Sequence, residues 1–400
     1  MSLIELWKKS PDQLTVKHLH QIIAFAGEGK LRDGSATSSE FRSFLLQVPS
    51  SMLGRFVDEC LNASFPDSGF ALQDVINEVG RRLGFVVTNG LYQGRQGQVG
   101  SDGLWVLPTQ HAVVVEAKTT DAYRIDTARL AGYRKQLTSA GTIKEEASSV
   151  LLVVGRKDTG DLEAQIRGSR YAWEIRLISA DALLRLMKLK ETLDDLATIG
   201  RICEILIPRE YTRLDDIVDL VFSTAEEVQQ EDTEEEAEKP EDEVGLVEQV
   251  RSARPAKPMA FHEACISLVS RAKAIPLVRQ SRSTFAAPDG TVRAVCAVSK
   301  VHQSQGRESY WFAFHPQQDA YLEGAANGLL VLGCGGPEMV LAIPHRTVRT
   351  WLGDLWTTER DNGRRYWHIR LHAAGGKLMM DRSDGKSRVD LSPFLVKPAG

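Results

Sequence analysis

Two carboxylates and a lysine stand in a pattern that suits hydrolytic chemistry. Asp102 precedes one predicted strand, and the apolar run Ala112–Val115 leads directly into Glu116 and Lys118. Side chains alternate along a strand, so Glu116 and Lys118 project from the same face, which Asp102 can reach from the neighbouring strand. Two carboxylates and an ammonium that converge at a strand end can hold a divalent metal and activate a water. The stretch therefore predicts a metal-dependent hydrolytic site.

A surface salt bridge is the alternative interpretation of Glu116 and Lys118. The strand that carries them is continuously apolar, which indicates a covered, central position. Charges at the end of a buried strand are costly unless they are used, so the pattern favours a functional role.

The elements around these residues predict an α/β layer architecture with a mixed central sheet. Apolar residues at helical spacing predict helices, and short apolar runs predict strands. In chain order, the expected elements are a helix over Ser68–Gly84, a strand over Phe85–Tyr92, the two strands that carry the carboxylates, a helix over Ile125–Leu137, a strand over Ser149–Gly155, a short helix over Leu162–Arg167, a strand over Trp173–Ile178 and a helix over Ala180–Lys188.

The chain of 400 residues is long enough for two or three domains. Residues 1–67 are expected to form an N-terminal helical segment, 68–224 the domain with the carboxylates, 225–250 a linker and 251–400 a second domain. The linker is predicted because residues 226–248 are densely acidic and have few aromatic residues, so they cannot form a core. The net charge of the whole chain is -4, but the acidic stretch accounts for more than all of it. The rest of the chain carries a net positive charge of roughly seven.

The second domain shows strand and helix patterns that predict an α+β fold with an antiparallel sheet. Its histidines lack a metal-ligand spacing on a helix, and its aromatic residues are expected mostly in the core. Some of these rings could instead line a pocket for a base, a modified nucleotide or a small-molecule signal.

Five scattered cysteines without a CxxC indicate a reducing compartment, with neither a disulfide framework nor a zinc site. The apolar runs are too short to span a bilayer, and the first residues lack a signal-peptide pattern. A cytoplasmic location is the expectation.

The series Asp102, Glu116-Ala117-Lys118 resembles the D…ExK motif of the PD-(D/E)XK nuclease superfamily, which includes restriction endonucleases, repair nucleases and defence effectors. The resemblance covers roughly residues 68–186, and Ser101 stands where the proline of the name would be. It implies a restriction-endonuclease-like core, with Asp102, Glu116 and the Ala117 carbonyl as ligands of Mg, or of Mn. Lys118 would position the attacking water. Glu78 would be the supporting acid on the preceding helix, with Asp74 as the fallback.

Further residues are candidates for substrate contact. Tyr133 and Gln136 lie three apart on the next helix and resemble residues that some relatives place near the substrate, although Tyr133 fits ordinary packing equally well. Arg95 and Gln96 lie in a donor-rich loop that could contact phosphates, with a solvated loop as the alternative.

The sequence thus predicts a Mg-dependent endonuclease that hydrolyses phosphodiester bonds, with DNA favoured. The second domain would recognise the target or regulate cleavage. The resemblance also suggests a role in bacterial defence, a homodimer or larger oligomer, and a partner protein of a defence system. The alternatives are a non-catalytic nucleic-acid-binding or assembly protein with the same fold, and a nuclease that acts on RNA.

Overall fold

A computed structural model describes residues 2–63, 65–93, 99–119, 124–155, 159–208, 224, 258–304, 307–359, 365–375, 377–385 and 387–397. The chain divides into two compact units, Met1–Glu238 and Lys239–Gly400. The proposed linker, residues 225–250, lies outside the described residues, so the four-part division of the chain stays a prediction.

The first unit begins with five helices, as expected for an N-terminal helical segment. They are α1 (Leu3–Lys9), α2 (Pro11–Thr15), α3 (Leu19–Phe25), α4 (Ala36–Leu45) and α5 (Ser50–Asn62). Ser2 starts α1 with a capping box that includes Glu5, and Ser35 caps α4 through its side chain. The apolar faces of these helices bury Phe41, Phe44 and Phe56 in the same core as the central sheet.

A mixed five-stranded sheet forms the centre of this unit, and the prediction of a mixed α/β core is confirmed. The sheet follows helix α6 (Ser68–Leu83), and its strands are β1 (Val86–Asn89), β2 (Gly103–Val106), β3 (Ala112–Lys118), β4 (Ser148–Val154) and β5 (Ile175–Ser179). Strands β1, β2 and β3 pair antiparallel, whereas β3, β4 and β5 pair parallel, so β3 is the middle strand. The connecting and following helices are α7 (Thr127–Ser139), α8 (Gly160–Arg167), α9 (Ala180–Lys190) and α10 (Leu196–Glu204).

Helices cover both faces of β3. Val113 and Val115 are buried in the core that includes α6, and Val114 is buried in the core that includes Leu130 and Tyr133 of α7. A strand covered on both sides carries an unbroken apolar run, which is what the sequence shows. Because side chains alternate along a strand, Glu116 points to the same side as Val114, towards α7.

The second unit contains two sheets. Its helices are α11 (Pro258–Lys273), α12 (Pro316–Glu323) and α13 (His345–Arg349), with short 3₁₀ turns at Leu352–Asp354 and Ser392–Phe394. The first sheet has the order β12-β11-β8-β7-β6, from strands β6 (Val278–Arg279), β7 (Thr284–Ala286), β8 (Val292–Ser299), β11 (Asn327–Cys334) and β12 (Val340–Pro344). The second has the order β16-β15-β14-β10-β9 with β13 also on β14, from strands β9 (His302–Ser304), β10 (Arg307–Phe314), β13 (Trp356–Glu359), β14 (Arg365–Ala374), β15 (Lys377–Asp381) and β16 (Arg388–Asp390).

The predicted antiparallel sheet is present as the second sheet, in which every strand pair is antiparallel, whereas the first sheet is mixed and was not expected. Strands β8 and β11 pair parallel over eight residues, from Asn327 with Val292 to Cys334 with Ser299. The chain between them crosses to the second sheet and returns through α12, a connection long enough to bring β11 back to the end of the sheet at which β8 begins, so that the two strands run in the same direction. Alternation along a strand shows which face is buried but does not reveal the partner strand.

Within the described ranges, no helix combines the length and apolar character that a membrane span requires.

Candidate active site

The carboxylates converge where β2 begins and β3 ends. The amide of Asp102 donates to the carbonyl of Val115 at 3.0 Å, and Gly103 pairs with Val115 in the ladder. Asp102 therefore lies beside Glu116, on the neighbouring central strand. Leu104 and Val114 point towards α7. Asp102 and Glu116 are each two residues away from one of them along the chain, so their side chains point to the same side.

Helix α6 holds the backbone of Asp102 from the other face of the sheet. The Asp102 carbonyl accepts hydrogen bonds from Asn77 Nδ2 at 2.8 Å and from Gln73 Nε2 at 3.1 Å. The amide of Gly90 also donates to this carbonyl, at 2.9 Å. Asn77 is itself oriented by Trp105, whose Nε1 donates to Asn77 Oδ1 at 2.8 Å. These buried amide side chains fix the position of Asp102.

The carboxylate of Asp102 is tied to β3. Its Oδ2 accepts a hydrogen bond from the amide of Ala117 at 2.7 Å. Burial, and secondly the charge of Glu116, raise the pKa of Asp102 to about 7, although this hydrogen bond and Lys118 act in the opposite direction. A cation bound beside Asp102 would favour the ionised form of its carboxylate.

Glu116 and Lys118 share one face of β3, as the alternation predicts. Lys118 Nζ lies 2.6 Å from Glu116 Oε1. The Glu116 side chain is 6% exposed and the Lys118 side chain 45%. The second oxygen, Glu116 Oε2, is buried and has no hydrogen-bond partner in the part of the chain that the structure describes. Buried polar atoms usually have a hydrogen-bond partner, and a cation bound at Glu116 Oε2 would provide one for this oxygen.

Arg129, in the first turns of α7, belongs to the same site and was missed from the sequence. Its Nε donates to the hydroxyl of Tyr133 at 2.5 Å, and its guanidinium lies 5.5 Å from the centre of that ring. The hydrogen bond to Tyr133, and to a smaller extent the charge of Glu116, raise the pKa of Arg129, and the charge of Arg129 lowers the pKa of Asp102. The exposed guanidinium therefore lies within electrostatic range of both carboxylates. The spacing of four between Arg129 and Tyr133 on a helix was the available signal.

The other candidate substrate contacts have different positions. Tyr133 is buried, and a Cβ at Gly100 would lie 3.5 Å from its hydroxyl, which places this ring against the segment that precedes Asp102. Gln136 is exposed on α7. The predicted contacts Arg95 and Gln96 lie outside the described residues.

Glu78 is held in a separate cluster of ion pairs on α6. Its Oε1 accepts from Arg82 Nε at 2.7 Å, and its Oε2 accepts from Arg81 Nη1 at 3.4 Å. Arg82 also donates to the carbonyls of Leu45 and Val48, so this cluster joins α6 to the N-terminal helices. Glu78 thus has both oxygens occupied by arginines, and its catalytic role stays a prediction.

Asp74, the fallback for Glu78, is likewise engaged on α6. It accepts from Arg42 Nε at 2.8 Å and from the hydroxyl of Tyr92. Burial raises the pKa of Asp74 to about 6, although Arg42 and Tyr92 lower it.

The oxygen atoms at this site are the kind of ligand that a hard cation prefers, although only two carboxylates supply them. Asp102 and Glu116 offer carboxylate oxygens, one of them unsatisfied, and oxygen ligands are what Mg prefers. No group of three or more His, Cys, Asp or Glu side chains with metal-binding geometry occurs among the described residues. Magnesium commonly binds through one or two carboxylates plus waters and phosphates, so a pair of carboxylates is sufficient.

Comparison with known proteins gives little beyond this geometry. No protein-family model matches the chain, and no curated protein matches it. Among solved structures, the chain is similar to the restriction endonuclease PspGI in complex with substrate DNA, at 12% identity and a TM-score of 0.22, over 55% of this chain and 92% of that one. Because this TM-score is low, the fold assignment stands on the strand order and helix positions themselves.

Proposed function

We propose that the first unit is a metal-dependent endonuclease that hydrolyses phosphodiester bonds, with DNA as the favoured substrate. The observation that carries the proposal is the convergence of Asp102 and Glu116 at the end of the central strands, with Glu116 Oε2 buried and unsatisfied. Burial and then the charge of Glu116 raise the pKa of Asp102, so a bound cation would favour its ionised form, and the two carboxylates would supply oxygen ligands to a divalent cation.

Asp102, Glu116 and the carbonyl of Ala117 would hold the metal, Mg or Mn. When bound, the metal neutralises charge on the phosphate and lowers the pKa of a coordinated water. The protein supplies the positions: Asn77 and Gln73 fix Asp102, and the Ala117 amide orients its carboxylate. A preorganised pair of carboxylates needs little rearrangement on binding.

Lys118 is the residue that would act on the attacking water. Its ammonium already lies 2.6 Å from Glu116, and nearly half of its side chain is exposed, so it can contact both a ligand and solvent. In this role Lys118 holds the water in line with the phosphorus and stabilises the negative charge that develops on the phosphate oxygens.

The rest of the chain would serve substrate selection. Tyr133, Gln136, Arg95 and Gln96 remain proposed substrate contacts, and the second unit is proposed to recognise the target or regulate cleavage. One site cuts one strand, so a double-strand break would require a homodimer or a larger oligomer. A role in bacterial anti-phage defence, with a partner protein of that system, is part of the same proposal.

A cleavage screen tests the proposal. Supercoiled plasmid, single-stranded DNA and RNA are incubated with the full chain and Mg or Mn, with EDTA as the metal-free arm. We expect nicking or linearisation of DNA that EDTA abolishes and that Lys118→Ala reduces by a hundredfold or more. Preferential cleavage of RNA would reassign the substrate. Failure to cut any substrate with either metal would instead favour a non-catalytic binding or assembly protein.

A further inference from the structure

An open sheet face in the second unit carries a group of aromatic side chains. In the sheet formed by β9, β10 and β13 to β16, Phe312, Ile369 and Leu371 are buried in the core on one side. The residues that alternate with these along each strand point to the other side of the sheet. There, Trp311 and His368 are only partly buried and Arg370 is exposed. The register places Trp311 opposite Arg370, and it places the partly buried residues Trp356 and Thr358 opposite His368 and Tyr366.

The rings on this face support one another. Trp311 Nε1 donates to His368 Nδ1 at 3.0 Å, and His368 Nε2 lies 2.6 Å from Thr358 Oγ1. Because Nδ1 accepts, Nε2 carries the proton and donates to the threonine, so His368 is neutral. The Tyr366 ring is centred 5.0 Å from His368 and 6.2 Å from Trp311. This network fixes the rings, which lowers the entropy that a stacking ligand would cost.

Positive charge accompanies the rings. The guanidinium of Arg370 lies 4.8 Å from the centre of the Trp356 ring. On the adjacent strands, the carboxylates of Asp381 and Asp390 are paired, the former with Arg388 at 3.2 Å and the latter with Lys377 at 2.8 Å. These carboxylates are therefore neutralised, and the charge of Arg370 remains available for an anion.

We infer that this face binds single-stranded nucleic acid, with unpaired bases stacked on Trp311, Tyr366 and Trp356 and a backbone phosphate at Arg370. This inference rests on the proposed function, because both take nucleic acid as the ligand of the protein. Partly exposed rings on a sheet stack on bases of any sequence, and a neighbouring guanidinium binds the phosphate that links them. In a duplex, the base faces are already stacked, so the rings select unpaired strands.

Binding of a fluorescein-labelled oligonucleotide of mixed sequence, measured by anisotropy in EDTA, tests the inference without any cleavage. DNA and RNA strands form separate arms. We expect Trp311→Ala to weaken affinity by roughly tenfold or more. Trp311→Phe, which keeps a ring but loses the donor to His368, should retain most of the affinity. Arg370→Ala should weaken binding and reduce its dependence on salt.

Matched controls separate stacking from general charge. Trp173→Ala removes a tryptophan that is 71% exposed in the first unit, and Arg346→Ala removes an exposed arginine elsewhere in the second unit. Both should bind as wild type, and a strand with abasic sites should bind weakly to wild type. Equal affinity for abasic and intact strands, or for duplex and single strand, would overturn the inference. So would normal binding by a folded Trp311→Ala chain.

These outcomes are independent of cleavage. If wild type binds oligonucleotides through these rings but cuts none of the substrates with Mg or Mn, the proposed nuclease function fails and the binding face stands. If it cuts DNA while the ring variants bind normally, the binding face fails and the nuclease function stands.

Discussion

The amide of Ala117 donates a 2.7 Å hydrogen bond to the carboxylate of Asp102, and this bond joins the start of one strand to the end of the next. It brings the side chain of Asp102 to the face that carries Glu116 and Lys118. The second oxygen of Glu116, Oε2, is buried and has no hydrogen-bond partner among the described residues.

Arg129 is expected to contribute to substrate binding, because its exposed guanidinium lies within electrostatic range of both carboxylates. Arg129→Ala should lower kcat/KM for DNA cleavage by roughly ten- to a hundredfold, which is the effect of losing one charge-assisted contact. Lys135→Ala, an exposed cation on the same helix, is the matched control and should cleave normally. Equal rates for both variants would remove Arg129 from the site.

Glu78 is expected to act on stability through Arg82. Glu78→Gln removes the charge that neutralises a buried guanidinium, so the free energy of unfolding should fall by about 3 kcal/mol. Urea denaturation measures this change, and Glu163→Gln, in an exposed ion pair with Arg167, should change it by less than about 1 kcal/mol. If Glu78→Gln instead leaves stability unchanged and abolishes cleavage, the residue is catalytic, as the sequence predicted.

Asp74 should make stability depend on pH. Its pKa is about 6 in the folded chain, above the value of 3.8 for a free side chain, so the folded state holds the proton more tightly. The contribution of Asp74 to stability is therefore greatest at low pH and is lost as the pH rises through 6. The unfolding free energy of wild type relative to Asp74→Asn should fall by about 2 kcal/mol between pH 4 and pH 7. A flat difference across this range would contradict the shifted pKa.

Gly80 is required by the contact between α6 and the sheet. A Cβ at Gly80 would lie 2.6 Å from the ring of Trp105, which is fully buried. Gly80→Ala should therefore lower the melting temperature, with a loss of about 1–3 kcal/mol from overpacking. Gly132→Ala, in helix α7 with open space around the added Cβ, should instead stabilise by about 0.5–1 kcal/mol. A stable Gly80→Ala chain would mean that Trp105 is packed differently.

The sequence was sufficient to predict the central strand and the face on which its charged side chains lie, because burial and alternation act locally. The unbroken apolar run marked β3, and alternation placed Glu116 and Lys118 on one face, where they form an ion pair. The hydrogen bond between Ala117 and Asp102 depends on strand register, which residue types do not determine. The pairing of Glu78 with Arg82 was likewise hidden, although the two residues are four apart, because a helical pattern does not show which polar groups are buried.

The rate of Mg-dependent DNA cleavage by wild type and by Asp102→Asn tests the central claim most directly. This change keeps the shape of the side chain and removes the charge of one of the two carboxylates. Asp58→Asn, at an exposed position on α5, is the matched control. Cleavage that falls by at least a hundredfold in Asp102→Asn, while Asp58→Asn and wild type cleave equally, is the predicted result. Cleavage by a folded Asp102→Asn chain at the wild-type rate would contradict the assignment of this site.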